Sequence, residues 1–370
     1  MAHLSHPQLL MKRLLILAII TVALMVSCSV LLKDGLIPQP THIARDTDQP
    51  PLKILARKRG IQIGTAVVFG PIRNDPMYRK TLVEEFDILM PENGMKFENL
   101  QPQRGRYDFT LADEFVKFAQ ENGLEVLGHT LLWERGLPSW LRGGNFSRDE
   151  LIEILRDHIQ TVAGHYRGQI EAWDTVNESL GSDGSLKDTI WLHGIGPEYI
   201  DLAFKWAHEA DPHAKLYYNE YATYNFNSIK TQRLYQLIKG LKERGVPIDG
   251  VGLQMHIGLP GPDPAEVAEV LQKLGELGLE VQLSEVDVGI RDGKGTREER
   301  LAKQAEVYRG MLAACLSVPN CQRFVTWGFT DRYSWAKYQT QDFEAPLIFD
   351  DAYRPKPAYY ALVEELTQGQ

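Results

Sequence analysis

Two glutamates each close an apolar, strand-like run in this 370-residue chain: Glu178 ends EAWDTVNE (171–178) and Glu285 ends LEVQLSE (279–285). Two carboxylates facing one cleft are the minimum equipment for cleaving a glycosidic bond. One must be protonated as the acid, and the other ionised as nucleophile or base. Asn177 directly precedes the first glutamate, and Asp287 follows the second by two positions. Taken alone, either glutamate is more often an ion-paired residue at a surface or a barrel end. The case for a site rests on what closes the neighbouring strands.

From residue 60 onward, short apolar runs alternate with amphipathic stretches, and the alternation occurs eight times. The strand runs are IQIGTAV (61–67), FDILMPE (86–92), LEVLGH (124–129), QIEAWDTVNE (169–178), KLYYNEY (215–221), VGLQMH (251–256), LEVQLSE (279–285) and RFVTWG (323–328). Between them lie helical patterns over 227–244, 264–277 and 297–316. Leu151, Ile154, Leu155, Ile159 and Val162 likewise fall at the three-to-four spacing of one buried face. Near-continuous apolar strands alternating with helices imply a parallel sheet covered by helices. Eight such units imply a single (β/α)8 barrel over residues 52–370. In that fold the functional groups gather at the C-terminal ends of the strands. The ends here carry Asn93, His129, Asn177 with Glu178, Asn219 with Tyr221, Gln254 with His256, Glu285 and Trp327. Buried polar groups are costly unless paired or used, so a set of this size predicts a lined polar cleft.

The net charge of −9 argues against a nucleic-acid partner, which wants a basic face. A neutral polysaccharide makes no such demand. At the N-terminus, Lys12 and Arg13 precede Leu14 to Leu32, a run without one charge. This pattern predicts an export segment over residues 1–32, either a plain signal anchor or a lipoprotein signal ending at Cys28. Membrane contact is expected through that segment only, with the bulk of the chain outside the cytoplasm, extracellular or in the cell envelope. Residues 33–51, with Pro38, Pro40, Pro50 and Pro51, read as an extended tether. In an oxidising compartment Cys315 and Cys321 could close a small loop, the alternative being two free buried thiols. No His/Cys cluster has zinc-ligand spacing, and the pattern calls for no metal and no cofactor.

The motifs GTA (64–66), ENGMKFE (92–98), GHTLLW (128–133), LPSW (137–140), WDTVNE (173–178), DPHAKLYYNEY (211–221), VGLQMH (251–256), LSEVDV (283–288), WGFTDRYSW (327–335) and KPAY (356–359) occur in order. With them the chain resembles glycoside hydrolase family 10, the β-1,4-xylanases, over essentially all of 60–366. The resemblance implies a monomeric enzyme that cleaves internal xylan bonds with retention, with Glu178 as acid/base and Glu285 as nucleophile. It places Asn177 beside the 2-hydroxyl of the attacked sugar, and Glu92, Asn93, Lys96 and His129 on the glycone sugars. Gln254 falls near the reacting ring, and Tyr221 also faces substrate. Trp133, Trp327 and Trp335 wall the cleft, and His256 and Asp287 support the nucleophile. Cys315 and Cys321 match a disulfide found in many members. Three places depart from the family pattern: Phe97 for tryptophan, Glu134-Arg135-Gly136 for His-Ser-Gln, and Glu220 with Ala222 around Tyr221. The second adds two charges on the expected leaving-group side. A β-1,4-glucanase remains an alternative, as does a catalytically silent polysaccharide-binding protein.

Overall fold

The computed structural model describes residues 49–339 and 344–368. The chain divides into Met1–Ala44 and Arg45–Gln370. The expected export segment and most of the tether lie outside the described residues. Among the described residues, no helix is long and apolar enough to cross a membrane.

Eight parallel strands close into a barrel in sequence order: β1 (Gln62–Val67), β2 (Ile88–Pro91), β3 (Glu125–Trp133), β4 (Ala172–Asn177), β5 (Lys215–Tyr221), β6 (Gly250–Gly258), β7 (Glu280–Gly289) and β8 (Cys321–Thr326). The strands are buried along almost their whole length, which is why they read as apolar runs and not as alternation. Inside the barrel, Ala66, Ile88, Met90, Leu127, Ala172, Tyr217, Val325 and Trp327 form one cluster. A second, larger cluster fills the space between the strands and the helices. Leu155, Ile159 and Val162 on helix Arg148–His165 are fully buried there. Each contributes about 1.5–3 kcal/mol relative to an exposed side chain.

Local sequence sets the helix ends. Ser147 with Glu150 and Thr296 with Glu299 form capping boxes at the starts of helices Arg148–His165 and Arg297–Leu316. Cys315 and Cys321 are disulfide-bonded, with Cα atoms 5.3 Å apart, and the bond ties the end of the second helix to the start of β8.

The strands differ from the sequence expectation mainly at their C-terminal ends. β3 runs four residues past His129 to Trp133, and β7 four residues past Glu285 to Gly289. In both, an extra residue is accommodated as a bulge. The pairing steps from His129↔Asp174 to Leu132↔Val176, and from Gln254↔Ser284 to His256↔Asp287. Bulges interrupt the two-residue alternation on which a strand-end reading depends.

Candidate active site

Both glutamates sit where the backbone leaves regular strand geometry. Glu178 (φ 56°) and Glu285 (φ 55°) are in the left-handed region that non-glycine residues seldom occupy. Such a conformation costs on the order of 1–3 kcal/mol and persists where the surroundings fix it. Around Glu178 they do. Its own N–H donates to Asn219 O at 2.9 Å, Leu180 N donates to Glu220 Oε2 at 3.1 Å, and the Ser179 and Tyr218 hydroxyls meet at 2.5 Å. At β7 the bulge performs the same service, and Trp327 N reaches back to Val286 O at 3.0 Å. The result turns both carboxylates into one cleft at the C-terminal mouth of the barrel.

Glu285 is buried, and both of its oxygens are engaged. Asn219 Nδ2 donates to Oε1 at 2.6 Å, and His256 Nε2 donates to Oε2 at 2.9 Å. His256 Nδ1 meets Asp287 Oδ1 at 3.0 Å, and the other Asp287 oxygen accepts from Trp335 Nε1 at 2.6 Å. Burial opposes charge on Glu285. The hydrogen bond from His256, the positive field of His129 and His256, and the Asn219 amide outweigh it, and the carboxyl lies below the ordinary glutamate value. Burial also opposes charge on His256, yet Asp287 and Glu285 hold it well above the ordinary imidazole value. The three groups form an acid–imidazolium–acid relay in which both ring nitrogens donate.

Glu178 has different neighbours. Its Oε1 accepts from Gln254 Nε2 at 3.3 Å, with Asn177 Nδ2 at 3.5 Å. Its Oε2 lies 3.6 Å from Lys187 Nζ, which in turn lies 3.1 Å from Glu134 Oε1. Asn177 Oδ1 accepts from both Asn219 Nδ2 and Gln254 Nε2 at 3.0 Å, so side-chain amides link the two carboxylates. One carboxylate is held ionised by a cation and an amide. The other meets amides and an ammonium already shared with a second acid. That asymmetry is what acid–base chemistry at a single bond requires.

The remaining expected residues line the same mouth. Lys96 Nζ donates to Asn93 Oδ1 at 2.7 Å, Asn93 Nδ2 donates to Glu92 Oε1 at 3.1 Å, and Lys96 lies 4.7 Å from the Trp133 ring. Burial pushes the Glu92 carboxyl up and the Lys96 ammonium down, each opposed by the other's charge. Trp327 packs its edge against His129 at 5.2 Å and His256 at 5.9 Å, and Trp335 meets His256 at 5.3 Å. Tyr221 is flanked by Lys230 at 3.2 Å and Lys187 at 5.1 Å. Glu134 faces the Glu178 side, as its position after Trp133 suggested, whereas Arg135 is exposed.

Several contributors escaped sequence reasoning. Asp174 is buried and pairs with His129 Nδ1 at 2.8 Å; a lone acid inside the apolar run AWDTVN was the available signal. Burial pushes the Asp174 carboxyl up against the His129 hydrogen bond. Lys187 gave no spacing signal at all. Glu220 and Lys230 form a buried ion pair at 3.0 Å behind Tyr221, although the sequence marked Glu220 only as a departure. Among the described residues, His129, Asp174 and Glu285 are the three whose donor atoms come within 4.8 Å of one another, close enough to hold a metal. Each already has a protein partner: His129 with Asp174, and Glu285 with Asn219 and His256.

Residues 51–365 match the model of glycosyl hydrolase family 10. The chain is 43% identical to endo-1,4-beta-xylanase B of Thermotoga neapolitana, an alignment covering 85% of this chain and 91% of that protein. It is 39% identical to a beta-1,4-xylanase of Dictyoglomus thermophilum, covering 78% and 84%. Among solved structures, xylanase 10B from Thermotoga petrophila in complex with xylobiose superposes with a TM-score of 0.83 at 41% identity, covering 85% of this chain and 97% of that one.

Proposed function

The chain belongs to glycosyl hydrolase family 10, and from that membership we propose the division of labour in its cleft. The enzyme hydrolyses internal β-1,4-xylosidic bonds of xylan with retention of configuration. The observation that carries the residue assignment is the pair of unlike carboxylate environments, with Glu285 held ionised and Glu178 surrounded by amides and a shared ammonium.

We assign the nucleophile to Glu285. It attacks the anomeric carbon as the glycosidic bond breaks, and Glu178 gives its proton to the departing oxygen, leaving a glycosyl ester on Glu285. Glu178, now ionised, takes a proton from water. The water oxygen attacks the same carbon, and the Glu285 carboxylate departs. Each displacement inverts the centre, so the product retains its configuration. We assign the glycone contacts to Glu92, Asn93, Lys96 and His129, and the 2-hydroxyl of the attacked sugar to Asn177. The cleft walls fall to Trp133, Trp327 and Trp335, with Tyr221 on the aglycone side and Gln254 near the reacting ring. Preference for xylose over glucose rests on Trp335. The bond from its indole to buried Asp287 keeps it from swinging aside for a 6-hydroxymethyl group.

Two measurements test this. Proton NMR of xylo-oligosaccharide hydrolysis should show the β-anomer first; an initial α-anomer would mean inversion. Reducing-sugar release should be far greater from xylan than from carboxymethyl-cellulose; the reverse would make the enzyme a glucanase, and no release from either a binding protein. We also propose that the chain is exported. The Lys12–Arg13 and Leu14–Leu32 pattern and the Cys315–Cys321 disulfide support this. Fractionation of producing cells would overturn it by finding the protein in the cytosol.

A further inference from the structure

The loop after β4 folds back on itself. Leu180 and Leu186 form an antiparallel bridge, Gly181 N donates to Ser185 O at 2.8 Å, and Lys187 N donates to Ser179 O at 2.8 Å. Gly184 makes the turn in a left-handed conformation (φ 77°). Nine residues after Glu178, the chain has therefore returned to the peptide next to it. The loop is anchored at its base, where Leu180 N and the Tyr218 hydroxyl both bond Glu220, itself paired with Lys230.

This return delivers the Lys187 side chain, 13% exposed, to a point between two acids, 3.1 Å from Glu134 Oε1 and 3.6 Å from Glu178 Oε2. The ammonium is buried and meets neither carboxylate in hydrogen-bond alignment, so it acts on both as a point charge. The opposite oxygen of Glu178 is held by Gln254. We propose that Lys187, anchored by Glu134, is a positioning residue for the acid/base. It fixes the Glu178 carboxyl from the Oε2 side while Gln254 fixes it from the other, so that one rotamer serves both proton transfers. Glu134 is needed because Glu178 changes charge during the cycle. When Glu178 carries a proton it no longer attracts the ammonium, and Glu134 keeps Lys187 in place. The assignment rests on Glu178 being the proton donor, and it gives a function to a residue that marks this chain's departure from its family pattern.

Proton donation matters in proportion to how poor the leaving group is, and this separates positioning from general disruption. The test is kcat/KM, which reports the first displacement, on two aryl β-xylobiosides. The 2,4-dinitrophenyl compound needs no proton to depart, whereas the phenyl compound does. Lys187→Met should lower the phenyl value about 10- to 100-fold, a part of the roughly 100- to 10,000-fold that acid catalysis supplies, and leave the dinitrophenyl value within about twofold of the parent. Glu134→Gln should give the same pattern with a smaller loss. Lys187→Arg, which keeps the charge, should recover most of the phenyl activity. A loss shared equally by both substrates, or no loss on either, overturns the proposal; the pattern in Lys187→Met alone overturns the part given to Glu134. If the parent enzyme cleaved neither compound, the xylanase assignment itself would be at fault.

Discussion

Removing His256 should move the acidic limb of the pH profile upward. In the folded enzyme its Nε2 donates to Glu285 Oε2 at 2.9 Å, a hydrogen bond between charged partners in a buried site. Such bonds contribute about 1.5–3 kcal/mol, which at about 1.36 kcal/mol per unit corresponds to 1–2 pH units. His256 is about a quarter exposed (24%), so water replaces part of the lost bond in His256→Ala, and the shift falls toward the lower figure. The sign follows from the groups left behind. Burial still opposes ionisation of Glu285, while Asn219 and His129 continue to favour it. The assay is kcat/KM against pH on dinitrophenyl β-xylobioside, whose acidic limb reports the nucleophile of the free enzyme. Stability should follow the same logic. Glu285, with its value lowered by folding, contributes stability in full above 4.5 and loses it as pH falls through its folded value. His256, raised by folding, contributes in full below 6.5 and loses it as pH rises through its folded value. The parent should therefore gain most from the pair between those two values, and the variant should show no such maximum. An unchanged acidic limb accompanied by a higher KM would refute the reasoning and make His256 a substrate ligand.

Glu285→Ala should abolish hydrolysis, and added azide should restore turnover as the α-glycosyl azide, because a small anion in the vacated space attacks the β-linked substrate once and inverts it; a β-azide would unseat Glu285 as nucleophile. Gly252 lies beside the amide that serves Glu285: a Cβ there would stand 2.3 Å from Asn219 Oδ1 and 3.1 Å from Ser284 Oγ. Gly252→Ala should therefore displace Asn219, raise the acidic limb by up to about two units for a hydrogen bond to a charged carboxylate, and lower kcat; a parental profile would show that Asn219 is dispensable. The Cys315–Cys321 bond closes a loop of sequence separation 6, so Cys321→Ser should cost about 2 kcal/mol in denaturant unfolding with activity kept; loss of activity below the unfolding transition would contradict a purely structural bond.

The barrel was legible because its strands are buried on both sides, and burial on both sides writes a continuous apolar run. Helix Arg297–Leu316 was legible from its helical pattern, and the capping box of Thr296 and Glu299 fixes its start. The two glutamates, His256 and Trp327 could be named in advance as a set of polar and aromatic groups at the ends of apolar runs, and Trp335 from the family resemblance. The support of Glu285 by His256 and Asp287 was expected from the family resemblance; the other groups that bind the two glutamates were not legible. Asn219 and Glu285 are 66 positions apart, and their 2.6 Å contact depends on the register of β5, β6 and β7 and on the bulge that turns Glu285 inward. Asp174 faces His129 only because β3 and β4 pair in one register. Lys187 reaches Glu178 only because a glycine turn folds the loop back. The sequence by itself determined the barrel and the two carboxylates, because burial and composition act residue by residue along the chain, and its motifs carried the family resemblance. The tertiary structure alone decided that Asn219 shares in holding Glu285 and what grips Glu178, because charge and hydrogen bonding act between side chains that only register and loop geometry bring within 3–4 Å.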